Sequence, residues 1–226
     1  MDRRRFAGLC GALLGPLPLG ASALEALGEG PADGASDASA SAPPAPRTAL
    51  AFEDGSPVRP DDLAPDEAYL FGYPYRVTPA FLVRLADGRT VAFSAICSHK
   101  MTAPSRPISH IAYRAEPVSF VDRAGERHER AGVISCCSER SVYDPAADGA
   151  VLAGPARAAL ARIELELDAE GIVAVGSVGA DRYEPFLERF GFRLAMEHGT
   201  SDVRRRAGDV ATVEPAARYS AQTIRC

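Results

Sequence analysis

The stretch Ile163-Glu164-Leu165-Glu166-Leu167-Asp168-Ala169-Glu170-Gly171-Ile172-Val173-Ala174-Val175 decides the fold class. Apolar and acidic residues alternate strictly from 163 to 167, so on a strand every apolar side chain shares one face and every acid the other. Residues 168–171 have turn chemistry and 172–175 return as a second apolar run, which makes the segment a half-buried antiparallel hairpin. The same signals recur outward from it. Residues 80–85 and 91–95 flank Ala86-Asp87-Gly88-Arg89, a second hairpin. Residues 69–73, 108–113, 118–121 and 132–135 are short apolar runs, with a charged, mobile connection expected over 122–130. Many short strands at regular spacing predict an all-β antiparallel sandwich or barrel over 48–178.

The flanks read differently. Residues 1–26 open with Arg3-Arg4-Arg5, continue with an apolar run to Leu19 and end in Ala21-Ser22-Ala23, the build of an export signal. Arg3-Arg4 followed by Phe6 resembles the twin-arginine export motif, which implies a periplasmic destination; a membrane tether follows only if the segment is retained. Residues 27–47 hold no aromatic or branched apolar side chain beyond Leu27, so a disordered linker is expected. Within 179–226 a helix is expected from Asp181 to Glu197, with Phe186, Phe190 and Leu194 on one face. The tail after it, polar and rich in arginine, is expected to fray, with Cys226 an exposed thiol. A net charge of −5 offers no basic surface for nucleic acid, and past the first 25 positions no run approaches the ~20 apolar residues of a membrane span.

The chemistry concentrates in two stretches, Ala95-Ile96-Cys97-Ser98-His99-Lys100 and Ile134-Ser135-Cys136-Cys137-Ser138-Glu139-Arg140-Ser141-Val142-Tyr143-Asp144-Pro145. A thiolate and an imidazole two residues apart at a strand end can point at one metal, and a second cysteine loop can supply the opposing ligands.

These stretches resemble the two cluster-binding loops of Rieske iron–sulfur proteins, in which C-x-H and C-x-x-H hold a [2Fe–2S] centre with two cysteines on one iron and two histidines on the other. Gly154-Pro155 resembles the family's third, proline-containing loop, and Gly72-Tyr73-Pro74 with Val91-Ala92-Phe93-Ser94 looks most like the small Rieske subunits of arsenite-oxidase type. The resemblance implies a Rieske-like antiparallel domain, with Cys97 and Cys136 as thiolate ligands and His99 as one imidazole ligand. It also implies that Ser141 and Tyr143 donate hydrogen bonds to cluster sulfur. Aligned on Tyr143-Asp144, the second histidine is replaced by Glu139 and the following glycine by Arg140. Thr102 and Ser138 occupy the places of the inter-loop disulfide found in cytochrome bc-type members. Four arrangements stay open: Glu139 ligates, Cys137 ligates, His110 or His128 folds back, or the cluster is gone. An anionic ligand lowers the potential relative to imidazole, and Lys100 and Arg140 are placed to offset its charge.

The reading is therefore an electron-transfer protein binding a [2Fe–2S] cluster, the small subunit or partner of a periplasmic oxidoreductase or cytochrome, with the catalytic site in another chain. The alternative is a cluster-less Rieske-like binding or assembly module. Hydrolysis at a mononuclear metal has only the same few ligands to support it.

Overall fold

The computed structural model describes residues 45–226, so the signal segment and most of the linker lie outside the described residues. Strands β1 (Thr48–Ala51), β2 (Ala68–Gly72), β3 (Pro79–Arg84) and β4 (Thr90–Ser94) come first. The middle holds β5 (Ile111–Arg114), β6 (Val118–Val121), β7 (Arg127–Arg130), β8 (Val133–Cys136), β9 (Ser141–Asp144) and β10 (Ala150–Ala153). The last part holds β11 (Arg162–Leu167), β12 (Ile172–Val178), helix α1 (Tyr183–His198), β13 (Val210–Thr212), β14 (Glu214–Pro215) and the short helix α2 (Ala216–Tyr219). The fold is all-β.

The two hairpins expected from alternation are β3–β4 and β11–β12, and they lie side by side in an eight-stranded sheet ordered β13-β1-β12-β11-β4-β3-β2-β14. Its two outermost strands are consecutive in the chain. Val210–Thr212 pairs in parallel with β1, Glu214–Pro215 pairs antiparallel with β2, and the amide of the intervening Val213 donates to the Ala51 carbonyl at 2.7 Å. One segment thus covers both edges and nearly closes the sheet into a barrel, which removes unpaired strand edges. The interior is filled by Leu50, Tyr73, Leu82, Ile163, Ile172 and Val213.

β3 is buried along nearly its whole length because it has two apolar neighbours. Ala80 and Leu82 face the barrel interior, while Phe81 and Val83 face a second, four-stranded sheet ordered β10-β9-β8-β5. Ile111, Ile134 and Tyr143 of that sheet complete this second core, and Cys97 and Cys136 belong to it. Helix α1 buries Phe186, Leu187 and Leu194 against Val77, Ile96 and Ala103, so it buttresses the loop that carries Cys97.

Four expectations are corrected. The segment 122–130 is not a mobile connection: β7 pairs with β6 as a separate ribbon around a turn at Asp122, whose carboxylate accepts from the amides of Ala124 and Glu126. The tail after His198 does not fray, because β13 and β14 close the barrel and Val213 and Tyr219 are buried. Cys226 is no free thiol, since it is disulfide-bonded to Cys137. Asp181 stands one residue outside the helix cap position, at Arg182, and accepts from the Tyr183 amide at 3.3 Å.

Candidate metal centre at the tips of three loops

Cys136 is the last residue of β8 and pairs across the ladder with Ser141, the first of β9, so residues 137–140 form a tight four-residue turn. Arg140 completes that turn in the left-handed region, at φ 57°. Loop one follows β4 and is closed by two backbone bonds, the Cys97 amide to the Thr102 carbonyl at 2.8 Å and the Met101 amide to the Cys97 carbonyl at 2.9 Å. Loop three leaves β10 through Gly154. A Cβ there would sit 2.4 Å from the Arg140 carbonyl oxygen, so only glycine lets loop three lie against loop two.

Side chains join the three tips. Thr102 Oγ1 donates to Ser138 Oγ at 3.3 Å, a hydrogen bond at the two positions where the resemblance puts a disulfide in bc-type relatives. The Ala156 amide donates to Ser141 Oγ at 3.3 Å, and Ser98 Oγ donates to the Ala158 carbonyl at 2.7 Å. Lys100 Nζ lies 3.3 Å from Glu139 Oε1, an ion pair from loop one to loop two.

At the centre Cys97 and Cys136 are free thiols, fully buried, with their sulfurs hydrogen-bonded to each other. The hydrogen bond from Cys136 does most to hold the Cys97 thiol well below its usual range. The Tyr143 hydroxyl, 3.2 Å from its sulfur, and the amides of Lys100 and His99 add to this. Cys136 is pushed up by the same bond, then by burial and by the Cys97 charge; the amides of Ser138 and Glu139 oppose the rise. The two thiols are thus shifted in opposite directions, Cys97 toward the thiolate and Cys136 toward the thiol, and backbone amides favour the thiolate at both. Burial, and then the Cys97 charge, raise Tyr143 and keep it a hydroxyl donor.

The sequence-derived residues divide as follows. Cys97, Cys136 and Tyr143 are brought into contact, and Ser141 lies beneath loop three. His99 is exposed at the tip of loop one, and Glu139 is half-exposed beside Lys100. Cys137 is excluded as a ligand. Cys136 ends a strand with its side chain in the core, so its neighbour projects the opposite way and meets Cys226. His128 is committed elsewhere, stacked on Phe120 with Nε2 2.8 Å from Asp122. His110 accepts the Cys137 amide through its backbone carbonyl, at 2.7 Å. Among the described residues, the only three potential donors with ligand atoms within 4.8 Å of one another are Asp122, Glu126 and His128. Sequence reasoning missed the Cys137–Cys226 bond and the role of Ser98. The signal for the first was arithmetic: had Cys97 and Cys136 been set aside as the expected ligands and Cys10 as part of the expected signal segment, Cys137 and Cys226 would have been left for each other.

The donor set has the chemistry of half a [2Fe–2S] centre. Two buried thiols side by side, each faced by backbone amides, suit one iron; the facing tips offer one imidazole and one carboxylate in place of two imidazoles.

No family model matches the sequence, and no curated protein matches it. Among solved structures the chain is similar to the soluble domain of the Rieske protein II (soxF) from Sulfolobus acidocaldarius, with a TM-score of 0.39 and 21% identity over 58% of this chain and 78% of that one. It is also similar to the quaternary ammonium Rieske monooxygenase CntA, with a TM-score of 0.37 and 15% identity over 66% of this chain and 37% of that one. Both are Rieske proteins. The chain spans little more than a third of the monooxygenase's length.

Proposed function

We propose that the chain is a Rieske-type one-electron carrier, exported to the periplasm, that serves a larger oxidoreductase subunit or a cytochrome. One observation carries this reading. Of the four cysteines among the described residues, two are locked in a disulfide, whereas Cys97 and Cys136 stay free, touching and buried at the junction of two strand-end loops. A structural role calls for neither two free buried thiols at loop ends nor the backbone amides that favour their thiolates. Cys97 and Cys136 would hold one iron of a [2Fe–2S] cluster, and His99 with Glu139 the other; the cluster supplies a single-electron couple. The chain's own residues give that couple a dry inner wall (Phe81, Ile134 and Tyr143) and an outer tip reached through His99. The Tyr143 hydroxyl lies within hydrogen-bond distance of the Cys97 sulfur and would donate to it as a thiolate, and Ser141 anchors the covering loop. An exposed tip over a buried pair suits transfer to another protein rather than chemistry on a substrate.

Iron and acid-labile sulfide analysis of the full chain, prepared anaerobically, tests the reading. About two irons and two sulfides per chain, lost together in Cys97→Ser and Cys136→Ser, are expected. Wild-type protein with neither after anaerobic reconstitution would overturn it in favour of a cluster-less binding module.

A further inference from the structure

Two ferric ions and two sulfides carry a double positive charge, which two thiolates cancel when the remaining ligands are neutral imidazoles. A carboxylate at position 139 breaks that balance and leaves the oxidised centre with an excess negative charge. Two cations stand near enough in sequence to restore it, Lys100 and Arg140, and the structure separates them. Lys100 Nζ lies 3.3 Å from Glu139 Oε1 across the loop junction. Arg140 directly follows Glu139, yet no ion pair or side-chain hydrogen bond joins its guanidinium to any described residue, and its backbone is turned into the left-handed region.

We propose that Lys100 and Glu139 act as one unit in place of the missing imidazole: Glu139 would hold the second iron as a carboxylate, and Lys100 would cancel its charge. This rests on the electron-carrier reading above. Stability alone does not account for the pair, because its side chains are 50% and 36% exposed, and such surface ion pairs contribute little to folding. Its location does account for it. Lys100 follows the loop-one ligand His99, and Glu139 holds the ligand position of loop two, so the bond joins the ligand-bearing residues of the two loops. Lys100 is thus a positioning residue that also sets how easily the centre accepts an electron.

The test uses the full chain, reconstituted anaerobically, with iron and sulfide counted before the midpoint potential is titrated. Lys100→Gln is expected to keep its iron and lower the potential, and Glu139→His to raise it. Arg140→Gln should shift it by less than half as much as Lys100→Gln. In the Glu139→His background the Lys100→Gln shift should shrink to less than half its wild-type size. An unchanged potential in Lys100→Gln overturns the inference. So does an equal shift in Arg140→Gln, or a full-sized Lys100→Gln shift in the Glu139→His background, which marks Lys100 as one more through-space charge. If wild-type protein holds neither iron nor sulfide, the electron-carrier reading fails and takes this inference with it. Intact loading with any of the contrary shifts overturns the inference alone.

Discussion

Arg140 sits at φ 57° in a turn where the resembling family has glycine, and a non-glycine residue in that conformation costs about 1–2 kcal/mol. No partner of its guanidinium would be lost, so Arg140→Gly should stabilise the protein by about 1 kcal/mol after the added freedom of the unfolded chain is subtracted. Urea denaturation measures this, and a destabilised variant would mean that the side chain makes an interaction in solution. Tyr143 has one proton for two neighbours, Cys97 Sγ and Ser98 Oγ, each at 3.2 Å. Ser98 already gives its own proton to the Ala158 carbonyl, so it can receive from Tyr143 but not donate to it. With Cys97 as the proposed metal-bound thiolate, the Tyr143 proton would go to sulfur. Tyr143→Phe should therefore keep iron, lose about 1 kcal/mol of stability and lower the midpoint potential, since a hydrogen bond to sulfur favours the reduced state. A potential equal to that of wild type would place the Tyr143 proton on Ser98. Residues of this kind stand out in the sequence because their chemistry is local: a thiol and an imidazole two apart, then a hydroxyl at fixed spacing from the second thiol; the structure brings Cys97, Cys136 and Tyr143 together and leaves His99 exposed at the loop tip. The Lys100–Glu139 partnership was legible only as one of two choices, because sequence cannot say which cation crosses to the other loop.

Elements were legible where periodicity reports a buried face. The alternating runs became β11–β12 and the Asp-Gly turn became β3–β4, since each has one face on the barrel interior. β7, with the sequence Arg127-His128-Glu129-Arg130, has no apolar face and is exposed throughout, so nothing in its pattern shows that it pairs with β6. β13 and β14 are three and two residues long, too short for any period, and both are held by pairing with strands more than a hundred residues earlier in the chain. Loop three depends on a single glycine. At Gly154, φ is 83°, and an added Cβ would meet the Arg140 carbonyl oxygen at 2.4 Å and Ser141 Cα at 2.6 Å, both parts of the backbone. Gly154→Ala should cost about 3 kcal/mol and lift the loop off the centre, with loss of bound iron. Gly88 is the control, with φ 86° and open space around it; alanine there should cost about 1 kcal/mol and leave iron in place. Equal costs at the two sites would show that backbone conformation, not loop contact, sets the effect.

At the scale of the molecule, the C-terminal segment ties the two sheets together. After closing the barrel it runs past loop one, where Ser220 Oγ donates to the Ser105 carbonyl at 2.6 Å and the Ala221 amide to the Arg106 carbonyl at 2.7 Å. It then pairs with Ser109, accepts a hydrogen bond from Arg114 at the Ile224 carbonyl and ends in the disulfide from Cys226 to Cys137. That bond closes a loop of 89 residues, and cross-links of such span stabilise by about 2–4 kcal/mol. Cys226→Ser should lose about that much, and reductant should bring wild type to the same stability while leaving the variant unchanged. The bond also ties stability to compartment, because such disulfides persist where thiols are oxidised and are reduced in the cytosol. Protein recovered from the periplasm should then show two alkylatable thiols after unfolding and metal removal, Cys97 and Cys136. Protein blocked from export by Arg3→Lys and Arg4→Lys should add Cys137 and Cys226 to that count, together with Cys10 of the uncleaved segment, and should unfold at lower denaturant. Three thiols in the non-exported form, Cys10 with Cys97 and Cys136, would mean that the bond forms without export, and four in the exported form that the C-terminal segment is held by hydrogen bonds alone.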